Sequence, residues 1–199
     1  MKRYHKSSID GECEEVMERI AIPVILVGIV IFIGVSIKDV FFKNKKNNWK
    51  IVLTSLFVLY CSIVGHLTLG YIYIPPFENL SMRIQLEPFY FIQEWKTFED
   101  YYSWAFFNNA RLTFFNFLML MPLGFFLVYL FEIKRTGKAF LLIFGMSLLI
   151  EITQLVLSYF GLVWMRGFNT DDLIMNSLGG ILIFITCKRM KWRKIKREK

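Results

Sequence analysis

The chain has 199 residues, of which 55% are hydrophobic and 20% are charged, and its formal net charge is +8. This length suits one domain. The charged residues stand between long apolar runs, which excludes an ordinary soluble domain and predicts an integral membrane protein. The positive charge does not indicate nucleic acid, because residues 188–199 carry eight Lys or Arg directly after an apolar run. Such a cluster is attracted to anionic membrane lipid.

The first apolar run, Ile20–Ile37, follows a polar segment of mixed charge, residues 1–19. We predict a short surface helix or a disordered arm for the polar segment. The run is predicted to be a membrane helix with Pro23 in its first turn. It is longer than the apolar region of a signal peptide and lacks a cleavage site. A second membrane helix is predicted for Ile51–Ile74, where two prolines stop it.

The second run is followed by a long loop, Pro75–Ala110, which carries five acidic and two basic residues together with several aromatic ones. Part of this loop is predicted to lie in the membrane interface as an amphipathic segment. Three further apolar runs follow, Leu112–Ile133, Ala139–Trp164 and Leu173–Cys187. The sequence therefore predicts an all-α, polytopic membrane helix bundle of about five transmembrane helices, with its membrane domain over residues 20–187.

Basic residues are concentrated in alternate connectors of this bundle. Residues 38–50, 134–138 and 188–199 hold five, three and eight Lys or Arg, which is sixteen of the 24 in the chain, whereas the other loops hold four. Because basic loops stay in the cytoplasm, we predict the amino terminus outside and residues 188–199 as a basic cytoplasmic tail. We expect a multi-pass protein of a bacterial plasma membrane.

Four polar residues share one face of the fourth run, where Ser147, Glu151, Gln154 and Ser158 lie at i, i+4, i+7 and i+11. Glu151 is twelve residues past the start of the run, which is roughly 18 Å along a helix. An ionisable group at that depth normally faces the interior of a bundle. His66 in the second run lies at a similar depth, and we expect it either to pair with Glu151 or to bond a nearby carbonyl.

The third run and the start of the fifth place further polar groups on the same side of the membrane. Arg111 and Asn116 belong to the third run, whereas Arg166, Asp172 and Asn176 surround the start of the fifth. An Asp in a first helical turn, either Asp172 or its neighbour before it, is also typical of a cap. We predict one ligand-binding site on the outer side, formed by Arg111, Asn116, Glu151, Gln154, Arg166, Asp172 and Asn176.

The three cysteines, Cys13, Cys61 and Cys187, are odd in number and do not have the spacing of metal ligands. Cys61 and Cys187 lie in or beside apolar runs, where a thiol behaves as a small hydrophobic group. The sequence also has no Gly-rich phosphate loop and no His-Glu-x-x-His motif. We therefore predict no disulfide framework, no metal site and no cofactor.

Four motifs occur in order. Gln85–Phe89 is similar to the pattern Asn-Leu-x-Pro-Phe, and Asn116–Gly124 is similar to Asn-x5-Pro-x-Gly. Glu151–Gln154 is similar to Glu-x-x-Gln, and Arg166–Gly180 is similar to Arg-x-x-Asp-x-x-Asp-x3-Asn-x2-Gly. In this order and spacing, over roughly residues 85–183, they resemble the VanZ-like family, named for the teicoplanin-resistance protein VanZ. Asn169 stands where the family usually has Asp, and Gln85 stands where it often has Asn. The first departure makes a metal site with two carboxylates less expected.

The resemblance implies a membrane protein linked to lower susceptibility to teicoplanin, a lipoglycopeptide that acts on the cell wall, and it supplies no established reaction. We favour a non-catalytic protein that binds an amphiphile, either the lipid part of a glycopeptide or a lipid-linked wall intermediate. Arg111 and Arg166 would meet its phosphate or carboxylate. The alternatives are an intramembrane hydrolase or transferase with Glu151 or Asp172 as acid or base, and a small proton-coupled transporter that uses Glu151. An enzyme requires two of Glu151, Asp172 and Arg166 to converge on one cavity.

Overall fold

The computed structural model describes residues 20–41, 48–78, 82–97, 104–164 and 166–197. The predicted polar arm, residues 1–19, lies outside the described residues. The helices are α1 (Ile25–Phe41), α2 (Asn48–Leu69), α3 (Tyr90–Thr97), α4 (Trp104–Met119), α5 (Met121–Tyr129), α6 (Thr136–Tyr159) and α7 (Thr170–Arg197). The strands are β1 (Ile20–Pro23), β2 (Tyr71–Ile74), β3 (Arg83–Gln85) and β4 (Gly167–Asn169).

Four helical stretches of the described chain are long and apolar enough to cross a membrane. They are Trp49–Leu69, Phe106–Tyr129, Thr136–Tyr159 and Thr170–Arg193. The first predicted run contains a shorter apolar helix, Ile25–Val35, so the described chain has four helices of spanning length where about five were predicted. The prediction of an all-α helical membrane bundle is therefore confirmed. The short strands form two separate two-stranded pairs and do not change this architecture.

The start of the first run and the end of the second run are strands rather than helix, which corrects the predicted helix bounds. β1 pairs with β2 in antiparallel register, so that Ile20 lies opposite Ile74 and Pro23 opposite Tyr71. Pro23 therefore ends a strand instead of standing in the first turn of a helix. The two runs continue as a pair below these strands, because α1 packs along α2. An antiparallel pair satisfies backbone groups where the chain leaves the helices.

The third and fifth runs also differ from their predicted bounds. The third run begins earlier, because α4 starts at Trp104 inside the expected loop, and it is divided at Leu120, where α5 begins with a proline in its first turn. A proline removes one helical hydrogen bond and bends the helix there. The fifth run extends into the predicted tail, since α7 continues as one helix to Arg197.

α7 lies at the centre of the bundle and packs against α4, α5 and α6. Small residues make this close packing possible. A Cβ atom placed on Gly179 would meet the carbonyl oxygen of Phe117, and one placed on Gly124 would meet the carbonyl oxygen of Gly180. Glycine at such positions lets helix backbones approach closely, as is typical of membrane bundles.

The apolar core and the buried polar residues occupy different levels of the bundle. Leu120, Leu127, Ile143 and Phe184 form part of one buried apolar cluster between α5, α6 and α7. On α6 the buried face continues away from this cluster as the predicted stripe, and all four of its polar residues are buried: Ser147, Glu151, Gln154 and Ser158. The stripe prediction is therefore confirmed.

The basic connectors meet at the end of the bundle where the apolar cluster lies. Lys50 forms an exposed ion pair with Glu132 at 3.0 Å. Lys188 donates to the hydroxyl of Thr136 at 2.9 Å, and Lys191 donates to the carbonyl oxygen of Val128 at 3.1 Å. We call this end of the molecule the basic end. Its common location agrees with the loop-charge pattern, while the orientation in the membrane stays a prediction.

Candidate functional site

A polar cavity of about 340 Å³ opens at the end of the bundle opposite the basic end. Its walls come from α2, α3, α4, α6 and α7 and from the β3–β4 pair. The polar and charged residues on its walls are Thr68, Arg83, Gln85, Tyr90, Glu94, Asn109, Thr113, Asn116, Glu151, Gln154, Arg166, Asn169, Asp171 and Asp172. β3 and β4 are parallel, with Arg83 opposite Gly167 and Gln85 opposite Asn169.

Glu151 faces the interior and is 2% exposed. Its Oε2 atom accepts a hydrogen bond from the backbone N–H of Asn169 at 2.9 Å. Glu151 therefore contacts the end of β4, directly before α7, which is close to the predicted contact with the start of the fifth run. His66 does not pair with Glu151. Its Nδ1 atom lies 3.1 Å from the carbonyl oxygen of Gly70, four residues further along the sequence, which is the nearby carbonyl that the sequence offered as the alternative. A carbonyl so close by satisfies the imidazole locally.

Asn169 links the two carboxylates of the cavity. Its side-chain amide donates to Oδ1 of Asp172 at 3.1 Å, while its backbone N–H serves Glu151. Its side-chain oxygen accepts from the backbone N–H of Asp171 at 2.9 Å, which caps the first turn of α7. The cap predicted for an Asp of this turn is therefore supplied by Asn169, a residue that had been noted only as a departure from the family pattern.

Asp171 lies in the first turn of α7, and its carboxylate binds the start of another helix, α3. It is 4% exposed, and its two carboxylate oxygens accept the backbone N–H groups of Phe89 at 2.5 Å and Phe91 at 2.8 Å. Phe89 directly precedes α3 and Phe91 lies in its first turn, where N–H groups have no partners within the helix. Asp171 thereby fixes the wall formed by α3 onto the start of α7.

Two arginines reach the cavity. Arg166 donates to the carbonyl oxygen of Leu67 at 3.3 Å and interacts electrostatically with both Glu151 and Asp172. Arg83 lines the wall from β3, whose pairing with β4 brings it beside Gly167. Mixed charges at the end of a membrane bundle are costly to insert compared with apolar residues, so they indicate a function.

The amide side chains of the cavity join neighbouring helices. Gln154 donates to the carbonyl oxygen of Thr68 at 2.7 Å, which ties α6 to the end of α2. Asn116 on α4 interacts with the carboxylate of Asp172 on α7. These contacts hold the walls at fixed distances, as a preorganised binding site requires.

The structure brings five of the seven predicted site residues to one cavity: Asn116, Glu151, Gln154, Arg166 and Asp172. The other two predicted members do not line it. Arg111 is exposed, and it donates to Asn108 on its own helix at 2.7 Å. Asn176 is fully buried one turn below Asp172, and its amide atoms have no hydrogen-bond partner in the described part of the chain.

Sequence reasoning missed Arg83, Glu94, Asn109 and Asn169 as site residues. Asn109 donates to Oε2 of Glu94 at 2.8 Å and accepts from the indole N–H of Trp95 at 2.8 Å. The signal for Asn109 was present, since Asn109, Thr113 and Asn116 recur at i, i+4 and i+7 and all line the cavity. It was hidden because residues 104–110 were assigned to a loop.

The fold and the cavity define the class: a helical membrane protein with a polar site of mixed charge at one end of its bundle. A family model described as VanZ/LLP1 matches residues 24–191, so the chain belongs to the VanZ/LLP1 family. The match includes α1 and α2, in which no motif had been found. Comparisons with curated proteins and with solved structures give no match.

Proposed function

We propose that this chain is a binding protein of the bacterial cell envelope whose cavity holds the head group of an amphiphile. The observation that carries the proposal is the convergence of Arg83 and Arg166 with Glu151 and Asp172 on one cavity of a membrane bundle. A stabilising role explains Asp171, whose two oxygens are occupied by backbone N–H groups. It does not explain why two arginines and further carboxylates line the same open space.

Both positively and negatively charged side chains of the cavity bind the head group. The guanidinium groups of Arg83 and Arg166 bind phosphate or carboxylate, in shorter and stronger hydrogen bonds than neutral donors give. The carboxylates of Glu151 and Asp172 accept hydrogen bonds from hydroxyl or ammonium groups. Arg83 takes the phosphate-binding or carboxylate-binding role that the sequence assigned to Arg111, because Arg83 lines the cavity and Arg111 does not.

The family relation suggests the kind of amphiphile. Family membership supports a VanZ-like membrane protein, and we propose that it lowers susceptibility to teicoplanin. The occupant is then the lipid-bearing glycopeptide itself or a lipid-linked wall intermediate, both of which reach the outer leaflet. With the basic end in the cytoplasm, the cavity opens on that side of a bacterial plasma membrane.

An intramembrane hydrolase or transferase is the second candidate, and one observation favours it. Glu151 and Asp172 are both held by Asn169, and Arg166 interacts with each of them. This is the convergence that an enzyme requires. One carboxyl group would accept a proton from the attacking hydroxyl group while the other donates one to the leaving group.

The test uses Glu151→Gln and Asp172→Asn, each of which keeps an oxygen acceptor for Asn169. We expect both variants to insert and melt nearly as the parent does, but to lose the co-purified amphiphile in native mass spectrometry and the teicoplanin phenotype. Lys134→Gln at the basic end is the control and should change neither. Full resistance in both variants would overturn the proposed site.

The same experiment separates binding from catalysis. A binding protein releases the amphiphile with the mass at which it was added. An enzyme converts the added amphiphile to a product of different mass, and Glu151→Gln abolishes this conversion while the bound substrate is still detected.

A further inference from the structure

A second, apolar groove lies beside the polar cavity. It encloses about 210 Å³ between α2, α5 and α6. Its walls include Phe57, Cys61, Leu149 and Thr153, and they are formed almost entirely by carbon atoms. Cys61 is exposed at the surface of the described bundle, so the groove is open sideways, toward the surrounding lipid.

The groove and the cavity adjoin each other. Thr68 and Ile150 line both of them. At this boundary Gln154 donates to the carbonyl oxygen of Thr68, so the polar side of the wall is satisfied and the other side is apolar. A molecule that occupies both spaces must therefore change from polar to apolar at the level of Thr68 and Ile150.

We propose that the cavity and the groove together take one amphiphile with a zwitterionic head group and a single hydrocarbon chain, which enters sideways between α2 and α6. The inference rests on the proposed function and adds the class of the ligand. The head group occupies the cavity, the chain leaves through the groove, and the chain contacts lipid along its outer side.

The charges of the cavity select a zwitterion. Asp171 accepts N–H groups at the start of α3, and the other carboxylates on the walls are Glu94, Glu151 and Asp172. A purely anionic head group would face these three groups, and a purely cationic one would face the two arginines. Like charges brought together without water are strongly unfavourable. A head group with both charges, such as phosphoethanolamine, meets a partner for each.

The size of the groove favours a ligand with one hydrocarbon chain over a ligand with two. Gly65 and Thr153 are small residues on facing helices, and they widen the space between α2 and α6. The groove encloses about 210 Å³, which is less than the 340 Å³ of the cavity. Burial of a chain there is favourable because the groove gives close van der Waals contact on both sides, which loose lipid does not.

The experiment measures binding to the purified full-length chain in detergent by native mass spectrometry. The probe is lysophosphatidylethanolamine, and it is compared with lysophosphatidic acid, which lacks the cation, and with two-chain phosphatidylethanolamine. Thr153→Trp fills the groove and should weaken binding of the probe at least tenfold. Ile152→Trp, at the next position and 45% exposed, is the matched control and should bind as the parent does. Met146→Trp, which also projects into the groove, replaces Thr153→Trp if that variant melts abnormally.

Each outcome bears on one part of the inference. If both tryptophan variants in the groove bind as the control does, while Glu151→Gln and Asp172→Asn bind weakly, the groove assignment is overturned and the proposed function stands. If Glu151→Gln and Asp172→Asn bind normally, the polar site itself is overturned. Equal binding of lysophosphatidic acid refutes the zwitterion, and equal binding of the two-chain lipid refutes the single chain.

Discussion

Asn169 uses its backbone N–H, its side-chain amide and its side-chain oxygen within the candidate site. These groups serve Glu151, Asp172 and the cap of α7, respectively. An Asp at this position keeps the cap but has no side-chain N–H to offer Asp172, and it adds a negative charge next to Glu151 and Asp172. Asn169 therefore offers an N–H donor to each of the two carboxylates, which fits the mixed-charge cavity of this chain.

At the scale of single residues, we predict different effects for Arg166 and Arg111, which the sequence assigned to one site. Arg166→Gln removes a positive charge that acts on both Glu151 and Asp172, so binding of the zwitterionic probe should fall at least tenfold. Arg111→Gln should leave binding of the probe unchanged, because Arg111 is exposed and its described hydrogen bond goes to Asn108 on its own helix. Titration by native mass spectrometry of both variants measures the difference. Equal losses in the two variants would return Arg111 to the site.

At the scale of helices, the position of α7 sets the depth of the cavity. Its glycines allow α4 and α5 to lie against it, and a Cβ atom added at Gly179 would overlap the carbonyl oxygen of Phe117 on α4. Asp172 lies two turns before Gly179 on the same helix. A change in the spacing of α4 and α7 would therefore also separate Asn116 from Asp172.

We predict that Gly179→Ala lowers stability by about 1–3 kcal/mol, because the added methyl group overpacks a close backbone contact. Gly145→Ala is the matched control, since no atom lies within 4 Å of a Cβ placed at that helical position. It should melt at the parent temperature or slightly above it, because alanine favours a helix over glycine. Thermal melting in detergent, followed by size-exclusion chromatography, gives both values. A parent-like melting temperature for Gly179→Ala would contradict the packing described for α4 and α7.

At the scale of the whole molecule, charge and polarity are divided between two ends. The basic end combines exposed lysines with the apolar core, and the opposite end contains the cavity and the β3–β4 pair. This division matches the asymmetry of basic residues in the connectors. It places the opening of the cavity at the end of the bundle away from the basic connectors.

The predicted orientation is tested by single cysteines in a background without the three native ones. Glu87→Cys, near the cavity, should react with a membrane-impermeant maleimide in intact cells. Lys134→Cys, at the basic end, should react only after the membrane is permeabilised, because basic connectors are retained in the cytoplasm. Both side chains are exposed, so access rather than burial decides the outcome. The reverse pattern of labelling would invert the orientation and place the cavity inside.

The sequence by itself determined the features that depend on local physics. Transfer of an apolar run into lipid and the 3.6-residue period of a helix act within one segment. They therefore predicted the membrane helices and the buried stripe that includes Ser147 and Glu151. The same period explains one error: five residues separate Arg111 from Asn116, about 140° around a helix, so the two side chains point in different directions.

Only the tertiary structure decided which segments meet. The pairing of Arg83 with Gly167 joins strands far apart in the chain, and no periodicity within either segment indicates it. His66 lies next to the carbonyl oxygen of Gly70 rather than Glu151. Two residues at the same depth in the membrane can still lie on different sides of the bundle, so depth alone does not predict their contact. The position of each helix around the bundle results from packing at glycines such as Gly179, because helices in lipid associate by shape and close contact.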